Sequence, residues 1–194
     1  MPWTQPCCTT PTPQSLPSET VITHRIRTVE PDKDSQHIAT IYSSYVLEAW
    51  VSFEVEPPSA EEMRMRAQSL LDRGLPYLVA EDENGVLLGY AYASPYRPRA
   101  AYQYSVENSI YLCESAQGKG VAKALLDELV HRCQKLSLKT MIAIVGLNPD
   151  LPVDQNQSVR FHQKYGFSFV GVLENIGHKF GRWTGTAVLL LDLQ

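Results

Sequence analysis

Gln117-Gly118-Lys119-Gly120-Val121-Ala122 is the stretch on which the reading of this chain turns. It follows an apolar run, Tyr104 to Cys113, and opens an amphipathic one from about Lys119 to Gln134. The six residues therefore sit where a strand hands over to a helix. The first turn of a helix leaves backbone N–H groups unpaired and carries a partial positive charge. Small residues at Gly118, Gly120 and Ala122 let a phosphate approach that backbone, and Lys119 can add a point charge. A nucleotide-triphosphate loop ends in Gly-Lys-Ser/Thr, but Gly120 follows Lys119, so the magnesium-binding hydroxyl is missing. A dinucleotide fingerprint needs a third glycine three residues after the second, where Lys123 stands. What remains is a Gln-x-x-Gly-x-Ala cradle for phosphate, or a glycine-rich turn with no ligand.

Outward from this turn, the segment from His24 to Val29 alternates as a strand, and Pro31-Asp32 opens a helix. The apolar face of that helix is Ile38, Ile41, Tyr42, Tyr45 and Val46. Ser59 and Glu62 form a capping-box pattern for a second helix, which Arg73-Gly74 ends near Leu71. Asn84-Gly85 between two apolar runs signals a hairpin, Tyr77 to Glu81 with Val86 to Ser94. After the Gln117 turn, Val121, Leu125, Leu129 and Val130 point inward from the third helix. Thr140 to Val145 reads as a buried strand, Ser158 to Tyr165 as a helix, and Phe167 to Leu173 and Thr186 to Leu191 as closing strands. Helices flanking a mixed sheet make this an α/β (α+β) protein.

The bulk properties narrow the function. The 194 residues suffice for one domain, and 44% hydrophobic with 20% charged residues is ordinary for a globular protein. A net charge of −4 argues against nucleic acid as a primary partner. No apolar run approaches the roughly 18 residues of a membrane span, and the N-terminus lacks the apolar core of a signal peptide. Residues 1 to 22 hold several of the 13 prolines and little that could pack, so a disordered tail is expected there, with a single domain over 23–194. Cys7, Cys8, Cys113 and Cys133 match neither a zinc pattern nor a disulfide framework, which points to free thiols in the cytoplasm and no metal.

Several blocks together carry a resemblance. They are Ser52-Phe53-Glu54-Val55-Glu56-Pro57, Leu78 to Glu81, Gly89 to Ala93, and Tyr96-Arg97-Pro98-Arg99-Ala100-Ala101-Tyr102. Others are Val106-Glu107-Asn108-Ser109-Ile110-Tyr111-Leu112, Ser158-Val159-Arg160-Phe161-His162, and Gly177 to Trp183. With the Gln-x-x-Gly-x-Ala turn, they make the chain resemble the GNAT superfamily of N-acetyltransferases over about Ile26 to Leu193. Within it, the likeness is to phosphinothricin-type amino-acid N-acetyltransferases.

The resemblance implies a largely antiparallel sheet with a splayed strand pair, and acetyl-CoA wedged between Ile110 to Cys113 and Met141 to Val145. Cofactor contacts would come from Ile110, Tyr111 and Leu112, from Gln117, Gly118, Lys119, Gly120, Val121, Ala122 and Lys123, and from Asn156. A backbone N–H near Leu112 would stabilise the oxyanion of the tetrahedral intermediate. Glu107 matches the family's catalytic glutamate, the group that takes a proton from the incoming ammonium. His162 matches the family histidine and could act as base or acid. Arg97 and Arg99 match basic positions facing the acceptor's acidic groups, with Phe53 and Tyr102 as aromatic walls. The implied acceptor is a small amino acid or a toxic analogue such as phosphinothricin or methionine sulfoximine, and relatives suggest a homodimer.

The chain departs from the family pattern in three places. Glu54 stands where a basic or polar residue is common, and Gly185 replaces an acidic one. The loop Asn148 to Gln157 is long, so Gln155 occupies the usual position of the CoA-contacting Asn and Asn156 is one residue off. Another small amine as acceptor, or a non-catalytic acetyl-CoA-binding module, are the rival readings; a mere binder would need neither Glu107 nor His162.

Overall fold

The structure, a computed structural model, describes residues 23–194; the expected tail and Cys7 and Cys8 lie outside the described residues. In chain order the elements are β1 (Arg25–Thr28), α1 (Pro31–Glu48), α2 (Ala60–Asp72), β2 (Tyr77–Glu81), β3 (Leu87–Pro95) and β4 (Ser105–Leu112). There follow α3 (Val121–Lys135), β5 (Thr140–Gly146), α4 (Gln157–Tyr165), β6 (Ser168–Lys179) and β7 (Arg182–Asp192). The seven strands form one sheet in the order β1-β2-β3-β4-β5-β7-β6, antiparallel except where β4 meets β5.

Strand alternation splits the apolar side chains between two cores. On one face Leu78, Ala80, Val106, Met141 and Leu189 pack against Val121, Leu125, Leu126, Leu129 and Cys133 of α3 and against Val159 of α4. On the other, Tyr77, Val79 and Tyr90 pack against Ile38, Ile41, Tyr42 and Val46 of α1 and Met63 and Ala67 of α2. Each fully buried leucine of α3 contributes about 1.5–3 kcal/mol through lost apolar surface. Val130, expected inward, is only half-buried, because the α3 stripe is centred on Leu125, Leu126 and Leu129.

Local signals behave as physics requires, with some changes of detail. Ser59 Oγ accepts from the Glu62 N–H at 3.1 Å, but the Glu62 carboxylate pairs with Arg66 instead of returning to Ser59, so half of the capping box forms. The Asn84-Gly85 hairpin exists with a five-residue loop: Asp82 Oδ1 accepts from the N–H groups of Asn84 and Val86, and only Gly85 is left-handed, at φ 79°. The two-residue turn lies elsewhere. β6 and β7 run beyond the expected ends and meet at Phe180-Gly181, both left-handed (φ 49° and 74°) between the paired Lys179 and Arg182. A left-handed phenylalanine costs about 1–2 kcal/mol. Its ring is held edge-on to Trp50 at 5.1 Å and beneath the Lys179 ammonium at 4.9 Å, which offsets that cost.

Candidate active site

β4 and β5 pair only over Ser105↔Thr140, Val106↔Met141 and Glu107↔Ile142. Beyond Glu107 they part, and the V between them is a cleft of about 610 Å3. Its walls are β4 from Asn108 to Leu112, β5 from Ala143 to Gly146, and one side of α4.

At the open end lies the Gln117–Ala122 turn. Helix α3 starts at Val121, two residues later than expected, because Gly120 is its N-cap in a left-handed conformation (φ 82°). The Ala124 N–H closes the first helical bond, onto the Gly120 carbonyl, so the N–H groups of Val121, Ala122 and Lys123 have no partner within the helix. No side chain caps this end. Gly118 is also left-handed, at φ 71°. Three backbone donors at the positive end of a 15-residue helix form an anion cradle that fits a pyrophosphate.

Gln117, Gly118, Gly120, Ala122 and Lys123 line the cleft, as do Ile110, Tyr111 and Leu112. Lys119 and Val121 do not; the Val121 side chain is in the core, leaving its N–H as the contribution. The Lys123 ammonium is tied to Asp127 at 2.7 Å. Asn156 is buried in the wall, and Gln155 is exposed outside it. Both ends of the Asn156 amide are engaged, Oδ1 with the Asn148 N–H at 2.9 Å and Nδ2 with the Pro152 carbonyl at 3.0 Å. That amide closes the long loop.

The strand edge facing the gap is chemically specific. The Cys113 N–H donates to the Leu88 carbonyl in β3 at 2.9 Å, so alternation turns the backbone groups of Ile110 and Leu112 towards the gap. Those of Leu112 are taken: the Tyr45 hydroxyl donates to its carbonyl at 2.7 Å and accepts from its N–H at 3.1 Å. The oxyanion donor expected near Leu112 is thus already bonded, which leaves the Ile110 N–H as the group aimed into the gap beyond the last β4–β5 pair.

Glu107 is the last β4 residue to pair with β5, at the apex of the V. It is half-buried and not in the cleft wall. Burial pushes its carboxyl above the usual carboxylate range, partly opposed by the Arg97 charge. By alternation Glu107 shares its face with Ser109 and Tyr111, the side of α1 and α2. The next residue, Asn108, points to the α3/α4 side, where its Nδ2 lies 3.0 Å from His162 Nε2. The two expected catalytic side chains therefore stand on opposite faces of the sheet.

His162 is buried, and burial lowers its pKa, with the hydrogen bond to the Ser158 carbonyl opposing. The Arg97 guanidinium lies over the Tyr96 ring at 5.0 Å, and Tyr96 meets Tyr102 edge-on at 5.7 Å. Arg97 and Arg99 are exposed. Phe53 stands apart from this group, its ring beside Gly146 and Gly177; a Cβ on Gly177 would come within 2.7 Å of its Cδ2. Gly185 has a steric reason, since a Cβ there would lie 2.6 Å from the Leu173 carbonyl oxygen. Glu54 is bound by Arg66 at 2.7 Å and by the Tyr42 hydroxyl at 3.0 Å.

Sequence reading missed Tyr45 and Asn108. Tyr45 belongs to the apolar stripe of α1 and shows no polar signal. Asn108 adjoins Glu107 in the Val106 to Leu112 stretch, and its polarity inside a strand with a buried face was the available sign.

A parallel strand pair that splays over an anion-binding helix start defines a protein that inserts a long phosphorylated cofactor edge-on into its sheet. The chain belongs to the Acetyltransferase (GNAT) family, which it matches over residues 36–167. It is an acetyl-CoA-dependent N-acetyltransferase. It is 44% identical over 158 residues to a phosphinothricin N-acetyltransferase of Alcaligenes faecalis, covering 81% of this chain and 77% of that one. An L-methionine sulfoximine/L-methionine sulfone acetyltransferase of Salmonella typhimurium is 36% identical over 121 residues, 62% of this chain and 66% of that one. The crystal structure of a phosphinothricin acetyltransferase from Sinorhizobium meliloti in complex with AcCoA superposes with a TM-score of 0.81 at 40% identity, covering 88% and 89% of the two chains. No group of His, Cys, Asp and Glu among the described residues could hold a metal ion, and no described helix is long and apolar enough to cross a membrane.

Proposed function

We propose that this enzyme transfers the acetyl group of acetyl-CoA to the α-amino group of a small amino acid or a toxic analogue of the phosphinothricin or methionine sulfoximine type. The observation that carries the reading is Glu107: a half-buried carboxyl at the point where β4 leaves β5, within reach of the Arg97 field. An amine arrives as an ammonium and attacks only after losing a proton. A carboxylate with a raised pKa is the stronger base for taking it, directly or through water. The Ile110 N–H is the donor suited to the developing oxyanion. Arg97 and Arg99 suit a carboxylate or phosphinate on the acceptor, with Phe53 and Tyr102 as walls. The names of the relatives support the same acceptor class. Glu54 lends no support to a cationic polyamine, because Arg66 already neutralises it.

The test is thiol release from acetyl-CoA with a panel of amino acids, phosphinothricin, methionine sulfoximine and polyamines. Glu107→Gln is expected to lower kcat/KM by about 10²–10⁴ with acetyl-CoA affinity retained, and Arg99→Ala to raise the KM of anionic acceptors. Turnover unaffected by Glu107→Gln, or polyamines preferred over amino acids, would overturn the reading. Acetyl-CoA binding without turnover of any acceptor would favour a binding module.

On this reading the partners are small molecules and not nucleic acid or membrane. Free Cys113 and Cys133 suit a cytoplasmic enzyme. A homodimer is supported by Val170 and Ile176 on edge strand β6 and Trp183 on β7, all more than half exposed. Sedimentation analysis of wild type beside Val170→Asp checks it: a dimer that persists unchanged in the variant argues against this surface.

A further inference from the structure

The segment between α1 and α2, residues 49–59, crosses the gap where β4 and β5 part. It leaves α1 on the Glu107 face of the sheet and reaches β5 and β6. There the Trp50 backbone and the Phe53 ring seat against Gly146, and the ring against Gly177 as well. Gly146 ends β5 in the cleft wall, and Val51 lines the same cleft. The segment therefore stands over the cleft on the side from which an amine must come to reach Glu107.

Apolar burial does little to hold it, since Phe53 and Val55 are exposed and Val51 is half-buried. Polar ties do so instead. At its start the Lys179 ammonium gathers the carbonyls of Ala49 and Ser52. Further on, a chain of hydroxyls has one consistent direction. The Glu54 carboxylate can only accept, so the Tyr42 hydroxyl donates to its Oε1 at 3.0 Å. With its proton committed there, Tyr42 accepts from the Ser52 hydroxyl at 2.7 Å, and Ser52 Oγ accepts from the Glu54 N–H at 3.2 Å. The chain ends on Arg66 of α2. Its Nη1 and Nη2 donate to the two Glu54 oxygens at 2.7 and 3.2 Å, while its Nε donates to Glu62 at 3.1 Å.

α2 is itself lightly seated. Of its residues only Met63 and Ala67 are buried, and a cavity of about 520 Å3 lies between the helix and Tyr77, Tyr90 and Tyr92. A helix over a void has no close packing to fix its place, so the Glu54–Arg66 pair couples helix and segment. The pair is also near the chemistry. Tyr92 lies directly opposite Ser109, on the face that Glu107 shares, and within the fields of Arg66, Glu107 and Glu54.

We infer that Arg66 is a positioning residue for the acceptor: through Glu54 it holds the 49–59 segment, with Val51 and Phe53, over the Glu107 side of the cleft. The inference rests on the amine reaching Glu107 from that side, as proposed above. Chymotryptic cleavage after Trp50 in the unliganded enzyme measures the tie without any acceptor. Steady-state kinetics with phosphinothricin and methionine sulfoximine measure its consequence. The proteins are wild type, Arg66→Gln, Arg66→Lys, Glu54→Gln and the double variant Arg66→Gln/Glu54→Gln. Arg66→Gln and Glu54→Gln should each speed cleavage and raise the acceptor KM by about three- to fivefold, with the acetyl-CoA KM within twofold. Arg66→Lys, which keeps a cation on Glu54, should restore most of both. The double variant should be no worse than either single one, because the two residues act as a pair. Cleavage at the wild-type rate in Arg66→Gln would overturn the inference. So would faster cleavage with an unchanged acceptor KM, an equal rise in the acetyl-CoA KM, or losses that add in the double variant. Wild type that acetylates neither acceptor, with cleavage as expected, would instead overturn the amino-acid reading and the positioning role with it, leaving only the tie.

Discussion

The phenolic oxygen of Tyr45 serves both polar groups of one residue, Leu112, donating to its carbonyl at 2.7 Å and accepting from its N–H at 3.1 Å. A side chain of α1 thus stands in for the strand neighbour that β4 loses when β5 splays away. Tyr45→Phe leaves a part-buried donor and acceptor at the cleft edge without their partner, a cost of about 1–2 kcal/mol. At roughly 2–4 °C per kcal/mol for a chain of this size, the unliganded Tm should fall by about 2–8 °C. A ligand lying along this edge must displace the hydroxyl, so the rise in Tm on adding acetyl-CoA should be larger in the variant. Differential scanning calorimetry measures both; equal ligand-induced rises would mean the hydroxyl is not in the ligand's path.

His162 sets a pH dependence whose sign follows from burial. Desolvation lowers its folded pKa below the ordinary value of 6.5. The unfolded chain therefore binds its proton at higher pH than the folded one. Its contribution to stability is complete above about pH 6.5 and is lost as pH falls towards the folded pKa. The Tm of wild type should drop over that window, and His162→Gln should drop less. Parallel Tm–pH curves for the two proteins would remove His162 as the cause.

Gly177 has no room for a side chain, since a Cβ would run into the Phe53 ring. Gly177→Ala should push that ring off its seat beside Gly146. If Phe53 walls the acceptor pocket, steady-state kinetics will show a several-fold rise in acceptor KM with acetyl-CoA KM unchanged. A rise confined to acetyl-CoA would assign Phe53 to the cofactor instead.

Lys179 is 3% exposed, and its ammonium donates to three carbonyls, of Ala49 at 2.7 Å, Ser52 at 2.6 Å and Tyr45 at 3.3 Å. It supplies the cation that the last turn of α1 lacks. Lys179→Met would strand those acceptors at about 1–3 kcal/mol and loosen the segment from Ala49 to Phe53. Denaturant unfolding should show the lower midpoint, and limited proteolysis should cut first in that segment. An unchanged midpoint would mean that other groups satisfy these carbonyls.

Much of this was legible before the structure. The alternation around Leu78 and Val106, the α3 stripe and the glycines of the Gln117–Ala122 turn are local codes, fixed by sterics and hydrogen bonding within a few residues. Element ends were less legible. The β6–β7 hairpin was hidden because its turn is Phe180-Gly181, a pair without the usual Asn or Asp, held by Trp50 and Lys179 from tertiary contact.

The sequence by itself determined the order of elements, the anion cradle at the start of α3 and the presence of Glu107 and His162. Only the tertiary structure decided that those two stand on opposite faces, that Tyr45 occupies Leu112 across 67 positions of chain, and that Asn108 meets His162. The reason is physical. Period and turn chemistry act between near neighbours, whereas the partner of a buried polar atom depends on which distant surfaces pack together, and no local pattern records that.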